Sequence, residues 1–376
     1  MNHANISVIL IIPSASYRTN PFIDAATKLD INILVITDKS QVFSEYYPDN
    51  VITMNFEHWQ ESIENIHEWS ERYDLKAVIG VDEESIILAA KFSESLCIEH
   101  NSLESVKLTK NKYLMRSELK KSGLKSPWFI RFYVHETPKD IFSELIFPCV
   151  LKPTFLSASQ GVLRVNSFEE FGKGCEMLSD LLAEEKVKKR GGDQANWILV
   201  EEYIPGKEVS IEGIVNDGKL KDLAIFDKPE PLEGPIFPET IFITPTILDE
   251  HLQSSLLETA QTALQALGIS KGPVHIELRI NDHGNYILEC AARSIGGLCS
   301  NVLEFKGGMS LEELILRSAL GRNVDKTQLI DKAKGVMLKS NKEWGILREI
   351  QGTKATPQVK GMTNTKTTNK TGETTK

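Results

Sequence analysis

Three short runs near the start of the chain leave little choice of architecture. They read SVILII at 7–12, INILVIT at 31–37 and AVIGV at 77–81. A strand with one wet face alternates apolar and polar residues, whereas a continuous apolar run marks a strand buried on both faces. Between the runs lie helical patterns, at about 20–29, about 57–73 (His58, Trp59, Ile63, Ile66, Trp69) and through ESIILAAKFSESL. Strands alternating with helices predict a parallel sheet covered on both sides. No GxGxxG follows the first strand, so the dinucleotide fingerprint is absent.

A second feature carries the chemistry. GPVHIELRINDHGNYILECAARSIGG, from Gly272 to Gly297, reads as a hairpin around Asn281–Asn285. Side chains alternate faces, so His275, Glu277 and Arg279 share one side and Val274, Ile276, Leu278 and Ile280 the other. A five-residue loop pairs positions whose numbers sum to 566, which sets Glu277 opposite Glu289. Facing like charges are destabilising and need compensation. A shared proton, Arg279, Arg293 or a metal cation would supply it. Hard divalent ions take carboxylate oxygens and commonly hold substrate phosphates as well. The plain alternative is a solvated polar face in a slipped register.

The whole chain has 376 residues, enough for two or three domains. The net charge of −9 argues against a nucleic-acid-binding face as the main function. Five cysteines form no CxxC pair and no Cys/His cluster, which excludes a zinc or disulfide framework. The first apolar run is too short, and lacks the basic lead, for a signal peptide, and no run reaches membrane-spanning length. These points predict a cytoplasmic protein with no nucleic-acid or membrane partner.

KLTKNKYLMRSELKKS (107–122) reads as one basic helix, and IFPCVLKPTFLSASQGVLRV (146–165) as two strands around a small-residue loop. Ser167 and Glu170 form a capping box opening the next helix. KVKKRGGDQAN (186–196) reads as a polar loop. WILVEEYI (197–204) and KEVSIEGIVND (207–217) are strands, a long helix covers about 249–267, and SLEELILRSALG closes on Gly321. GIVNDGKL (213–220) nearly matches a phosphate loop, but Leu220 stands where a hydroxyl is required, so it is a β-turn at Asn216-Asp217-Gly218. The loop Ser157–Gly161 is different: small side chains let backbone N–H groups approach phosphate oxygens, with hydroxyls as extra donors. Lys152 follows a buried strand and needs an anion. The tail from about 352 is rich in Thr and Lys, a composition that predicts disorder.

Taken in order, Lys112 on a basic helix, VLKP, a small Gly-containing loop, VEEYIPGKE, VHIELR and LECAAR resemble the ATP-grasp superfamily. The closest likeness is to carboxylate–amine ligases of the L-amino-acid ligase type. It covers about residues 5–350, and Ala291, two positions after the second glutamate, agrees with that subgroup. The resemblance implies an ATP-grasp fold of α/β and α+β type. It comprises an N-terminal parallel α/β domain (1–106), an ATP-grasp domain (107–330, lid about 145–205) and an incomplete C-terminal subdomain (331–376). It implies ATP and Mg²⁺ or Mn²⁺ as cofactors.

Carried over by position, Lys112 and Lys152 hold the phosphates under the mobile loop Ser157–Gly161, with Ser157, Ser159 and Gly161 the contacts. Glu201, Glu202 and Ile204 resemble the adenine hinge and Glu208 the ribose ligand. Glu277 and Glu289 resemble the metal carboxylates, and Arg293 the arginine steadying an acyl phosphate, which with Lys152 makes the catalytic set. The implied reaction joins a small carboxylate to an amine, releasing ADP and phosphate, in a homodimer. Lys228, the segment 228–242 and His275 are expected at the acceptor pocket by location. A bicarbonate-using carboxylase and a non-catalytic ATP-binding module remain as alternatives.

Overall fold

A computed structural model describes residues 6–14, 16–39, 48–135, 143, 145–238, 240–339, 345–346, 348–351, 361–362 and 374–375. Most of the Thr- and Lys-rich tail therefore lies outside the described residues.

The three apolar runs are strands β1 (Ile6–Ile11), β2 (Asn32–Thr37) and β4 (Asp74–Gly80); the short β3 (Val51–Thr53) escaped sequence reading. They form one parallel sheet in the order β3-β2-β1-β4. Period-two alternation divides their side chains between two cores. Val8, Leu10 and Ile12 face α1 (Thr19–Leu29), whereas Ile9, Ile11, Leu34 and Ile36 face α2 (Ile63–Arg72) and α3 (Ile86–Ser95). The helix expected over 57–73 is shorter, because Phe56–Ser62 forms a 3₁₀ segment capped by Asn55, whose side chain accepts from the Glu57 amide at 3.0 Å.

The single basic helix expected over 107–122 is two, α4 (Leu103–Lys110) and α5 (Lys112–Lys121). Asn111 breaks it. Its backbone is extended, and its Oδ1 accepts from the amides of Tyr113 and Leu114 at 3.0 and 3.1 Å. An Asn side chain that offers the backbone this alternative starts a helix more readily than it continues one. Lys112 thereby becomes the first residue of α5.

Strands β5 (Phe129–Tyr133), β6 (Cys149–Pro153), β7 (Leu163–Val165) and β8 (Trp197–Glu202) form an antiparallel sheet ordered β5-β8-β6-β7. It packs on α6 (Phe168–Ala183), where half of the expected capping box forms: Ser167 accepts from the Glu170 amide, but Glu170 reaches past Ser167 to the Asn166 amide. The stretch read as a polar loop is instead helix α7 (Glu185–Gly191) and a 3₁₀ turn. Gly191, the last residue of α7, is buried where a Cβ would meet the Phe155 ring at 2.3 Å.

The third sheet has six strands ordered β13-β12-β9-β10-β11-β14. These are β9 (Lys207–Asn216), β10 (Lys219–Lys228), β11 (Ile241–Thr244), β12 (Gly272–Asn281), β13 (Gly284–Ala291) and β14 (Lys334–Met337). Asp217 and Gly218, both at positive φ, make the expected turn between β9 and β10. One face carries Val209, Ile211, Val274, Ile276 and Leu278 against α8 (Glu250–Ala266). On the other face, Ile214, Phe226 and Phe242 join α9 (Leu311–Ala319) and the N-terminal sheet in one core. Among the described residues no helix is long and apolar enough to cross a membrane.

Candidate functional site

The rest of that second face is charged, and the pairing register orders it into rows. Tyr286, Arg279, Glu208 and Lys228 lie across β13, β12, β9 and β10. Beside them run Glu289, Glu277, Ser210 and Phe226, and then Ala291, His275, Glu212 and Ala224. Glu277 does face Glu289, though not through the loop expected. Asn281 pairs with Gly284 around a two-residue turn, and a bulge between Glu277 and Leu278 shifts the register so that 277 meets 289. Without the bulge a two-residue turn would pair Glu277 with Leu288.

Neither Arg279 nor Arg293 hydrogen-bonds to the facing carboxylates, although the charge of Arg293 still acts on Glu289. Arg279 binds Glu208 (Nε to Oε2, 3.0 Å) and the carbonyls of Ile204 and Leu232. Arg293 donates from Nε to Glu83 Oε2 at 2.6 Å, an acid from the loop after β4. The cations in contact with the pair are others. Lys228 Nζ bridges Glu208 Oε1 (2.8 Å) and Glu277 Oε1 (2.7 Å). His275 Nε2 stands 3.4 Å from the same Glu277 oxygen, while its Nδ1 contacts Glu212. Glu289 Oε2 lies 3.4 Å from Lys112 Nζ. One oxygen of each facing carboxylate, Glu277 Oε2 and Glu289 Oε1, is thus left without a partner among the described residues.

The electrostatics follow from burial opposed by these partners. Burial pushes the Glu277 carboxyl up, but Lys228 and His275 hold it well below the usual range. The same balance raises Lys228 through Glu277 and Glu208. Burial works against the His275 cation, yet Glu212 and Glu277 lift it to about 10, so the ring is an imidazolium at neutral pH. Lys152 goes the other way. Burial, with Arg116 and Lys112 nearby, brings it down to about 8 although Glu201 lies at 2.5 Å.

Ten of the twelve residues expected to bind or react line one cleft of about 840 Å³, its open mouth included. Ser157 and Gly161 are the exceptions. Gly161 is packed toward α6, where a Cβ would meet Leu181 and Leu178, and its φ of +70° suits glycine. Ser157 Oγ instead accepts from Arg190 at 3.4 Å. Lys112 Nζ also donates to the Leu156 carbonyl at 2.7 Å, tying α5 to the loop's start. Glu201 turns inward, away from the hinge edge, between Arg116 and Lys152. At the hinge, the amides of Glu202 and Tyr203 bond to Trp128 and Pro148, and the Ile204 amide bonds to no described residue. Of the segment expected at the acceptor pocket, Phe237 lies at this end, its ring stacked on Tyr203 with ring centres 6.3 Å apart.

Sequence reading missed Glu83, Arg116 and Glu212. Arg116 follows Lys112 by one helical turn, but its sign hid it among the lysines. Glu212 continues the Glu208–Ser210 alternation, a period-two signal that was there to read. Glu83 carries no local signal, because its partner is 210 residues away.

Residues 145–302 match the ATP-grasp domain family. Alanine–anticapsin ligase of Bacillus subtilis (strain 168) is 28% identical over 304 residues, which are 76% of this chain and 64% of that protein. The chain thus spans just under two thirds of the length of that relative. D-alanine–D-alanine ligase of Flavobacterium johnsoniae is 29% identical over 261 residues, 63% of this chain and 72% of that one. The crystal structure of L-amino acid ligase from Bacillus licheniformis superposes with a TM-score of 0.75 at 22% identity, covering 94% of this chain and 85% of that one. The ATP-grasp fold, with a parallel α/β region before it, is therefore that of this chain.

Proposed function

We propose that the cleft binds ATP with a divalent cation and joins a small-molecule carboxylate to an amine. The observation that carries this reading is the facing pair Glu277 and Glu289, each with one free oxygen, beside Lys112 and Lys152. Two carboxylates are too few to hold a cation alone. They fit Mg²⁺ or Mn²⁺ well when phosphate oxygens complete the shell. The cation would neutralise charge on the transferring phosphoryl group.

In this reading the adenine lies along Glu202–Ile204 under Tyr203 and Phe237, and Ile204 offers its amide. Glu208 keeps lone pairs for ribose hydroxyls beyond those taken by Lys228 and Arg279. Lys112 and Lys152 hold phosphates, and the loop around Ser159 closes over them. A substrate carboxylate oxygen attacks the γ-phosphorus and ADP leaves. The amine nitrogen then attacks the acyl carbon, the C–O bond to the phosphate breaks, and the departing phosphate takes the proton that the nitrogen loses. Arg293, aimed by Glu83, stabilises the negative oxygen of the tetrahedral adduct. Catalysis is positioning and electrostatics, with no covalent nucleophile.

The test is ADP release from ATP and Mg²⁺ by the purified protein across pools of amino acids and small carboxylates, each with and without bicarbonate. Release that requires a carboxylate and an amine together supports the ligase. Release that requires bicarbonate, or ATP binding without release under every mixture, would overturn it.

A further inference from the structure

Glu212 is 1% exposed and His275 is 6% exposed, on adjacent strands of the central sheet. Neither belongs to the phosphate- or metal-binding set described above, yet both stand between its two halves. One oxygen of Glu212 meets His275 Nδ1, and the other accepts from the Ile295 amide at 2.9 Å. His275 Nε2 faces Glu277 Oε1 at 3.4 Å. Ile295 sits two residues after Arg293, in the loop leaving β13. A continuous chain therefore runs from the Arg293 loop through Glu212 and His275 to Glu277.

We infer that Glu212 is a positioning residue. It fixes the Arg293 loop with one oxygen and, through the imidazole, the rotamer of Glu277 with the other. Lys228 and His275 both hold Oε1, which turns Oε2 of Glu277 toward the cleft. Lys228 is shared with Glu208, so it restrains Glu277 only jointly with the ribose end. His275 is the restraint that comes from the Arg293 side. The function of the relay is to keep a cation ligand and an anion-stabilising arginine in register across two strands and a loop. This inference rests on reading Glu277 as a cation ligand.

A carboxylate has two oxygens and serves both ends; an amide has one and can serve only one. Glu212→Gln keeps shape and size, so it is the informative change. The measurements are Mn²⁺ affinity in the presence of ADP, by electron paramagnetic resonance, and hydrogen exchange of the Ile295 amide; neither needs turnover. His275→Asn should raise the Mn²⁺ dissociation constant about tenfold, the low end for losing a group that orients a metal ligand, and leave Ile295 exchange unchanged. Glu212→Gln should either weaken Mn²⁺ comparably or speed Ile295 exchange, because one link must break. ADP affinity without metal should change less than about twofold, since no Glu212 contact reaches the nucleotide. A Glu212→Gln protein with wild-type Mn²⁺ affinity and wild-type exchange overturns the relay alone. Wild-type protein that takes up no Mn²⁺ beside ADP overturns the cation assignment, and the relay with it.

Discussion

The N-terminal parallel sheet and the central antiparallel sheet solve opposite problems. The first presents Val, Ile and Leu to helices on both sides. The second does so on one side and crowds Glu208, Glu277, Glu289, Lys228, Arg279 and His275 onto part of the other. An apolar face tolerates small errors of packing, because dispersion and desolvation are spread over many contacts. A buried charged face does not, because a charge that loses its partner keeps its full desolvation cost. The central sheet therefore needs an exact register, and it obtains one with a bulge.

This contrast can be broken at its strongest point. Arg116→Ala leaves Glu201 and Lys152 buried without their third member. It should cost about 3–5 kcal/mol of stability by denaturant unfolding, as for removal of one partner of a buried pair. A loss below about 1 kcal/mol would show the charged face to be as forgiving as the apolar one.

The next effect is functional. Glu277→Gln should lower ADP release about 100-fold, the upper range for disturbing a metal site, with the far-ultraviolet spectrum retained. Unfolding of that variant, or unchanged release, would remove Glu277 from the cation site.

A smaller effect is a pH dependence that separates binding from folding. Lys152 titrates at about 8, down from 10.5, mainly through burial. It binds phosphates as the ammonium, so nucleotide affinity should hold below pH 8 and weaken about tenfold over the next unit. Folding responds in the opposite sense. Between about 8 and 10.5 the unfolded chain binds the extra proton, so this group adds stability as pH rises. Calorimetric titration with ADP at pH 7 and 9 checks the first, and unfolding of the same samples the second. Affinity that does not fall would mean that Lys152 does not hold phosphate.

The smallest expected change belongs to the apolar sheet. Ile36→Val should cost about 1 kcal/mol, as in other cores, and leave ADP release per folded molecule untouched. Altered turnover would show that the parallel sheet shapes the cleft more directly than its contacts indicate.

What could be read from the sequence follows the same division. The apolar sheet was legible from three runs of letters, because burial on both faces leaves a local signature. The residues expected at the site were read as a series of motifs, and ten of them line one cleft. What escaped were the partners. Lys228 was placed by position alone, and Arg279 and Arg293 were weighed, beside a shared proton or a metal, as partners of the facing pair, whereas their side-chain hydrogen bonds go to Glu208 and Glu83. An ion pair between strands or domains depends on register and on distant residues such as Glu83, and neither is written nearby. Asn111 was the exception, a local helix break that its side-chain chemistry could have revealed.

Arg116 ties the two antiparallel sheets together. It is fully buried, holds Glu201 of the four-stranded sheet, and donates to the carbonyls of Ile287 (2.6 Å) and Leu288 (2.8 Å), beside the bulge. The residue that the bulge inserts is thus also a fastening point. Sliding of the four-stranded sheet along the hairpin would have to break all of these bonds together.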